Sequence, residues 1–141
     1  GWDVLLDAAA FVPTNRLDLT AVQPDFVTLS FYKMFGYPTG IGALLIHRRA
    51  FGKLQRPWFA GGTVNFASVQ GEGHYLAPNE AAFEDGTIDY LNIPAVKIGL
   101  EHLQAIGIET IAERTRGLTG WLLENLYVLR HSNGKPLVRI Y

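Results

Sequence analysis

Ser30-Phe31-Tyr32-Lys33-Met34-Phe35-Gly36-Tyr37-Pro38-Thr39-Gly40-Ile41-Gly42 is the stretch on which the fold turns. One apolar run, Phe26-Val27-Thr28-Leu29, precedes it, and another, Ala43-Leu44-Leu45-Ile46, follows it. Both have the length and composition of strands, and Gly36, Pro38, Gly40 and Gly42 crowd the turn between them. The pattern predicts one strand from Phe26 to Phe31 and the next from Ala43 to Ile46. Lys33 then stands at a strand mouth, walled by aromatic side chains and glycines. A lysine in that position is expected to be partly desolvated. Desolvation disfavours the ammonium and turns the amine into a Schiff-base nucleophile.

Working outward, Val4-Leu5-Leu6 reads as a short buried strand that ends at Asp7. Asp18 to Gln23 predicts a helical turn capped by Thr20 and stopped by Pro24. Arg48 to Leu54 predicts a short helix. Residues 57–89 show little periodicity and hold Gly61, Gly62, Gly71, Gly73, Pro78 and Gly86. A loop of that length is usually functional or mobile, and its aromatic residues are expected to anchor it. From Ile93 the pattern is helical, with Val96, Leu100 and Leu103 on one face up to Gly107. A second helix runs from Glu109 to His131, with Ile111, Leu118, Leu122, Leu126 and Leu129 on one face. Residues 132–135 form a turn, and Leu137 to Tyr141 reads as a closing strand. Trp2, Trp58 and Trp121 are expected in the core. The order of elements is that of an α/β fold.

The 141 residues suffice for one ordinary domain, and 48% of them are hydrophobic against 18% charged. The formal net charge of -1 offers no basic excess for nucleic acid or an anionic membrane, and neither partner is expected. No apolar run is long enough to span a bilayer. Cysteine is absent, which excludes disulfides and thiolate metal sites within the sequence and suits a cytoplasmic protein. None of His47, His74, His102 and His131 has a second ligand at metal spacing, so no metal site is expected. Apolar sequence begins almost at Gly1 and continues to Tyr141, the pattern of a fragment with exposed, aggregation-prone strand edges.

Asp7 and Lys33 both fall at the C-terminal ends of predicted strands, the edge where open α/β sheets bind ligands. Pyridoxal phosphate chemistry needs such a pair. The lysine holds the cofactor, and a carboxylate keeps the pyridine nitrogen protonated so that the ring can withdraw electrons. Either residue alone reads more readily as a solvated turn residue; the pair is what favours the chemistry. Ser30 and Tyr32 offer hydroxyl donors for a phosphate, and Gly61-Gly62-Thr63 and Gly86-Thr87 offer hydroxyls and closely approaching backbone amides. Neither glycine cluster is a P-loop or a dinucleotide fingerprint.

With these strings in view, the chain resembles the class V aminotransferase and cysteine desulfurase family. Within it, the chain is similar to the N-terminal domain of molybdenum cofactor sulfurases. The resemblance runs in order through Leu5-Leu6-Asp7-Ala8-Ala9, Leu17-Asp18-Leu19 and Asp25-Phe26-Val27. It continues through Ser30 to Leu45, Gly61-Gly62-Thr63, Phe83-Glu84-Asp85-Gly86-Thr87, and Asn133-Gly134 to Tyr141. It implies the C-terminal half of a fold-type I large domain, ending in long helices and the start of the small domain. Residues 1–131 would be the partial large domain and 132–141 the start of the small one.

The resemblance also implies roles. Lys33 would be the Schiff-base lysine, Asp7 the partner of the pyridinium nitrogen, and Ser30 a phosphate ligand joined by Tyr32. Thr87 would bind the phosphate of the neighbouring subunit in a full-length homodimer. The implied activity takes sulfur from L-cysteine and passes it to the molybdenum cofactor. Two positions depart from the wider family: Tyr32 stands where many members have His, and Ala10 where many have Gln. Tyr32 favours the molybdenum cofactor branch; Ala10 leaves the ring hydroxyl without that hydrogen bond. The family's persulfide cysteine lies beyond Tyr141 and its ring-stacking aromatic lies before Asp7, so these residues alone are not expected to complete a turnover. The alternatives are another class V enzyme, a cysteine desulfurase or lyase, and a truncated relic without catalysis.

Overall fold

A computed structural model describes all residues from Gly1 to Tyr141. Three strands form one sheet: β1 (Leu5–Asp7), β2 (Phe26–Ser30) and β3 (Gly42–Ile46), with β2 in the centre. β1 runs parallel to β2, pairing Leu5 with Phe26 and Asp7 with Thr28. β3 runs antiparallel to β2, pairing Phe26 with Ile46 and Ser30 with Gly42. β1 and β2 therefore end at the same edge of the sheet.

The strand predicted through Phe31 stops at Ser30. A short helix, α1 (Phe31–Phe35), takes over and ends at Gly36, whose φ of 81° is the left-handed conformation suited to glycine. The Gly36 amide closes this turn on the Tyr32 carbonyl at 2.8 Å. Phe31 and Phe35 stack along one side of α1, with ring centroids 6.2 Å apart. The helix predicted over Arg48 to Leu54 is shorter, α2 (Arg48–Phe51). Between β1 and β2 a single turn follows Asp18. Its carboxylate, not Thr20, is the cap, accepting from the Thr20 amide at 2.8 Å and the Thr20 hydroxyl at 2.6 Å.

The segment read as an aperiodic loop contains order of its own. β4 (Val64–Ala67) and β5 (His74–Leu76) pair antiparallel, and a turn of 3-10 helix spans Glu80–Phe83. Thr63 anchors it. Its buried hydroxyl donates to the Ala60 carbonyl at 2.8 Å and accepts from the Ala60 amide at 2.9 Å. Two long helices close the chain, α3 (Ile93–Ile106) and α4 (Ile108–Val128), broken at Gly107 with φ 89°. No helix is long and apolar enough to cross a membrane.

Three expectations fail, the first being the burial of the strand read over Val4-Leu5-Leu6, where Val4 and Leu5 are both exposed. The strand read over Leu137 to Tyr141 does not form; only an isolated bridge joins Arg130 to Pro136. A strand exists only with a partner ladder, and nothing in residues 1–141 supplies one. Trp2, Trp58 and Trp121 are exposed, and only 7 of 141 residues are buried. The apolar stripe on α4 is real, yet Leu118 and Leu122 stay about half exposed, at 50% and 49%. The periodicity identified the faces correctly; no packed layer lies over them.

At the end of the sheet away from Ser30, Asp25 stitches three elements together. It accepts from the Val4 amide at 2.9 Å and from Arg49 Nε at 2.9 Å. The Val4 hydrogen bond, then the Arg49 guanidinium, hold this buried carboxyl below its ordinary range.

Candidate functional site

The C-terminal edge of β1 and β2 gathers four of the five residues named from sequence. Asp7 is the last residue of β1. Its Oδ1 accepts from the Ala9 amide at 3.0 Å and from the Thr28 hydroxyl at 3.2 Å. Those two bonds orient the carboxylate and leave Oδ2 free to meet a ligand. Ser30 ends β2 and stands at the N-cap of α1, but its side chain caps nothing, so the hydroxyl is available. Gly42 faces Ser30 across the ladder, and a Cβ there would lie 2.7 Å from the Leu29 carbonyl oxygen. The close approach of β3 to this edge therefore requires glycine.

Tyr32 and Lys33 follow on α1, both exposed. The expectation of a partly desolvated Lys33 is not met within these residues. α1 turns the lysine outward at the sheet's edge instead of setting it between aromatic walls. Its ammonium enters none of the ion pairs, which join Arg16 to Glu109, Arg49 to Asp25, Lys53 to Asp3, Arg56 to Asp85 and Lys97 to Glu101. The amine is thus unengaged and accessible.

Thr87 is not brought into this group. It is exposed, in a shallow groove with Gly62, Gly86 and Tyr90, and makes no hydrogen bond to the other four residues. The Gly86 amide donates to the Gly61 carbonyl at 2.8 Å, which joins the two glycine clusters recognised in the sequence. Gly62 and Gly86 have φ of 84° and 72°, where other residues are strained. Three residues not singled out from the sequence position these loops. Tyr37 donates its hydroxyl to Asn92 Oδ1, joining the Lys33 turn to the start of α3. Gly99 on α3 receives Phe35 of α1. Arg56 grips the segment that leads to Thr87. Their only sequence signals are single residues far from their partners, which periodicity does not reveal.

A family profile described as aminotransferase class-V matches residues 1–134. The chain belongs to the class V aminotransferase family. Among curated class V relatives, the human protein named molybdenum cofactor sulfurase is 47% identical across 99% of this chain. The protein of that name from Caenorhabditis elegans is 44% identical across the whole chain. The chain spans only 16% and 20% of the length of these two relatives. Among solved structures, an apo cysteine desulfurase from Thermococcus onnurineus NA1 matches with a TM-score of 0.73 and 27% identity. That match covers 86% of this chain and 30% of the other. The Escherichia coli cysteine desulfurase CsdA matches in fold with a TM-score of 0.80 at 23% identity, over 91% of this chain and 31% of its own. The fold is that of one part of a fold-type I enzyme of this class, mixed α/β with its long helices at the C-terminal end.

The donor set fits pyridoxal phosphate. A free amine suits the aldehyde, an oriented carboxylate with one open oxygen suits the ring nitrogen, and an uncapped hydroxyl suits the phosphate.

Proposed function

We propose that this segment is the lysine-bearing half of a pyridoxal phosphate site in a molybdenum cofactor sulfurase, which mobilises sulfur from L-cysteine for the molybdenum cofactor. The observation that carries the reading is the convergence of Asp7, Ser30 and Lys33 on one edge of the β1–β2 pair, each with an unused functional group. The extent of identity to relatives named molybdenum cofactor sulfurase supports the acceptor.

Lys33 supplies the amine that holds the cofactor and can carry a proton to and from the bound amino acid. Asp7 stabilises the protonated pyridine nitrogen by placing a negative oxygen against it. Ser30 and Tyr32 donate to the phosphate. When bound, the cofactor supplies the electron sink that weakens bonds at the substrate's carbon skeleton. Thr87 serves the phosphate of a neighbouring subunit in a homodimer, which suits its exposure and the absence of any hydrogen bond from it to the other four. Residues 132–141 begin a second, small domain, in keeping with the end of α4 and the turn that follows. The chain has no cysteine, so the thiol that receives sulfur is not among its residues. We place the protein in the cytoplasm.

A second reading, a cysteine desulfurase with another sulfur acceptor, is favoured by the likeness to the Thermococcus enzyme. A chimera tests both, with this chain replacing the aligned segment of the human relative. Borohydride reduction with pyridoxal phosphate should leave a pyridoxyl group on Lys33, found by peptide mass. The Lys33→Ala form should lack it and release no alanine from L-cysteine. No adduct, or one on another lysine, overturns the cofactor reading. Alanine release without sulfuration of the molybdenum cofactor selects the second reading.

A further inference from the structure

Arg56 has no role in the chemistry described above, yet its side chain is only 6% exposed in a protein with little burial. A buried guanidinium is costly unless its donors are used. Here they are used on both ends of one segment. Nε donates to the Trp58 carbonyl at 3.2 Å and Nη1 to the Ala82 carbonyl at 2.9 Å. Nη2 pairs with the Asp85 carboxylate, and the guanidinium lies over the Trp58 ring at 5.5 Å from its centroid.

Two of these partners, Ala82 and Asp85, lie just before Thr87 in the chain. Ala82 lies within the 3-10 turn before it, and Asp85 is two residues from Thr87. The backbone tie that joins this segment to a distant one is the Gly86 amide on the Gly61 carbonyl, beside the local bond of the Glu84 amide to the Ala81 carbonyl. Gly86 itself, at positive φ, has no side chain to fix the direction of the chain. The planar fork of Arg56 does, because three donors in fixed relative directions define an orientation that a point charge cannot.

We propose that Arg56 is the positioning residue of the Thr87 loop, setting the direction in which the Thr87 hydroxyl is offered to a phosphate. This inference rests on the reading of Thr87 as a phosphate ligand. Arg56 touches no reacting atom; it acts through Asp85 and the Ala82 carbonyl.

The test is a double-substitution cycle in the chimera, with Arg56→Lys keeping the charge and removing the fork. Arg56→Lys and Thr87→Ala should each weaken pyridoxal phosphate affinity roughly tenfold, the scale of one hydrogen bond to a charged group. The doubly substituted protein should bind no more weakly than Thr87→Ala alone. Amide hydrogen exchange over residues 84–88 should quicken in Arg56→Lys. Asp85→Asn, which keeps the carbonyl contacts, should show a smaller change of the same kind. A merely structural Arg56 would lower the melting temperature while leaving affinity unchanged, or would add its effect in full to that of Thr87→Ala. Either result overturns the proposal, as does unchanged exchange. Absence of any adduct on Lys33 in the unsubstituted chimera sinks the cofactor reading itself. A normal adduct with an unaffected Arg56→Lys sinks only the role of Arg56.

Discussion

Gly99 of α3 lies directly against the ring of Phe35 in α1: a Cβ at Gly99 would overlap the ring at Cγ, Cδ2 and Cε2. Phe35 belongs to the same short helix as Lys33, so this notch sets where that helix rests. Gly99→Ala should gain helix propensity of up to about 1 kcal/mol and lose more to overpacking, typically 1–3 kcal/mol. We expect a lower melting temperature and a smaller yield of pyridoxyl adduct on Lys33. A variant as stable and as reactive as the parent would show that α1 does not rest on α3.

Asp7→Asn should separate folding from chemistry. Asparagine can still accept from the Ala9 amide and the Thr28 hydroxyl, so the end of β1 is preserved. The negative charge opposite the ring nitrogen is gone. Turnover of the chimera should fall on the order of 10²-fold or more while the adduct on Lys33 still forms. Full turnover would remove Asp7 from the proposed site.

Asp25 gives the sheet an acid limit. Its folded-state carboxyl is held low by the Val4 amide and by Arg49. Its contribution is therefore complete above the ordinary carboxylate range, about pH 4, and is lost as pH falls through the lower folded value. Asp25→Asn should flatten the fall in stability at acid pH, followed by circular dichroism in a urea series at several pH values. An unchanged acid slope would assign the effect to other carboxyls.

Tyr37→Phe removes the hydroxyl that reaches Asn92 and little else. The bond is exposed, so its loss should cost about 0.5 kcal/mol, the low end for a hydrogen bond. The sensitive readout is hydrogen exchange at the start of α3, which should quicken. No change there would mean that the Asn92 contacts to Asp89 hold that end unaided.

The sequence made legible those parts of the fold that rest on local pattern. β2, β3 and the two long helices follow from apolar runs and helical spacing, and Asp7 falls at the strand end where the pattern put it, while β2 stops at Ser30, one residue short of the predicted end. α1 was hidden because Phe31, Tyr32 and Phe35 favour strand by composition, and only the Gly36 turn reveals the helix. The β4–β5 hairpin was hidden because its strands are short and do not alternate cleanly; a register irregularity sits between Val64 and Phe66. Burial was misjudged for a different reason. Periodicity says which face is apolar, but whether Leu118, Leu122 and Trp121 are covered depends on other layers. The Arg56 contacts join residues up to 29 positions apart, beyond any local signal.

The pairing of Ser30 with Gly42 closes residues 31–41 into a short loop whose two ends are fixed in the same ladder. A closed loop has far fewer shapes than a free segment, and the restriction is imposed when the sheet forms. Lys33 is thus preorganised: the entropy of confining its backbone belongs to folding and is not charged against ligand affinity. Lengthening the loop by even a few glycines should therefore weaken cofactor capture without touching a single residue that contacts the cofactor.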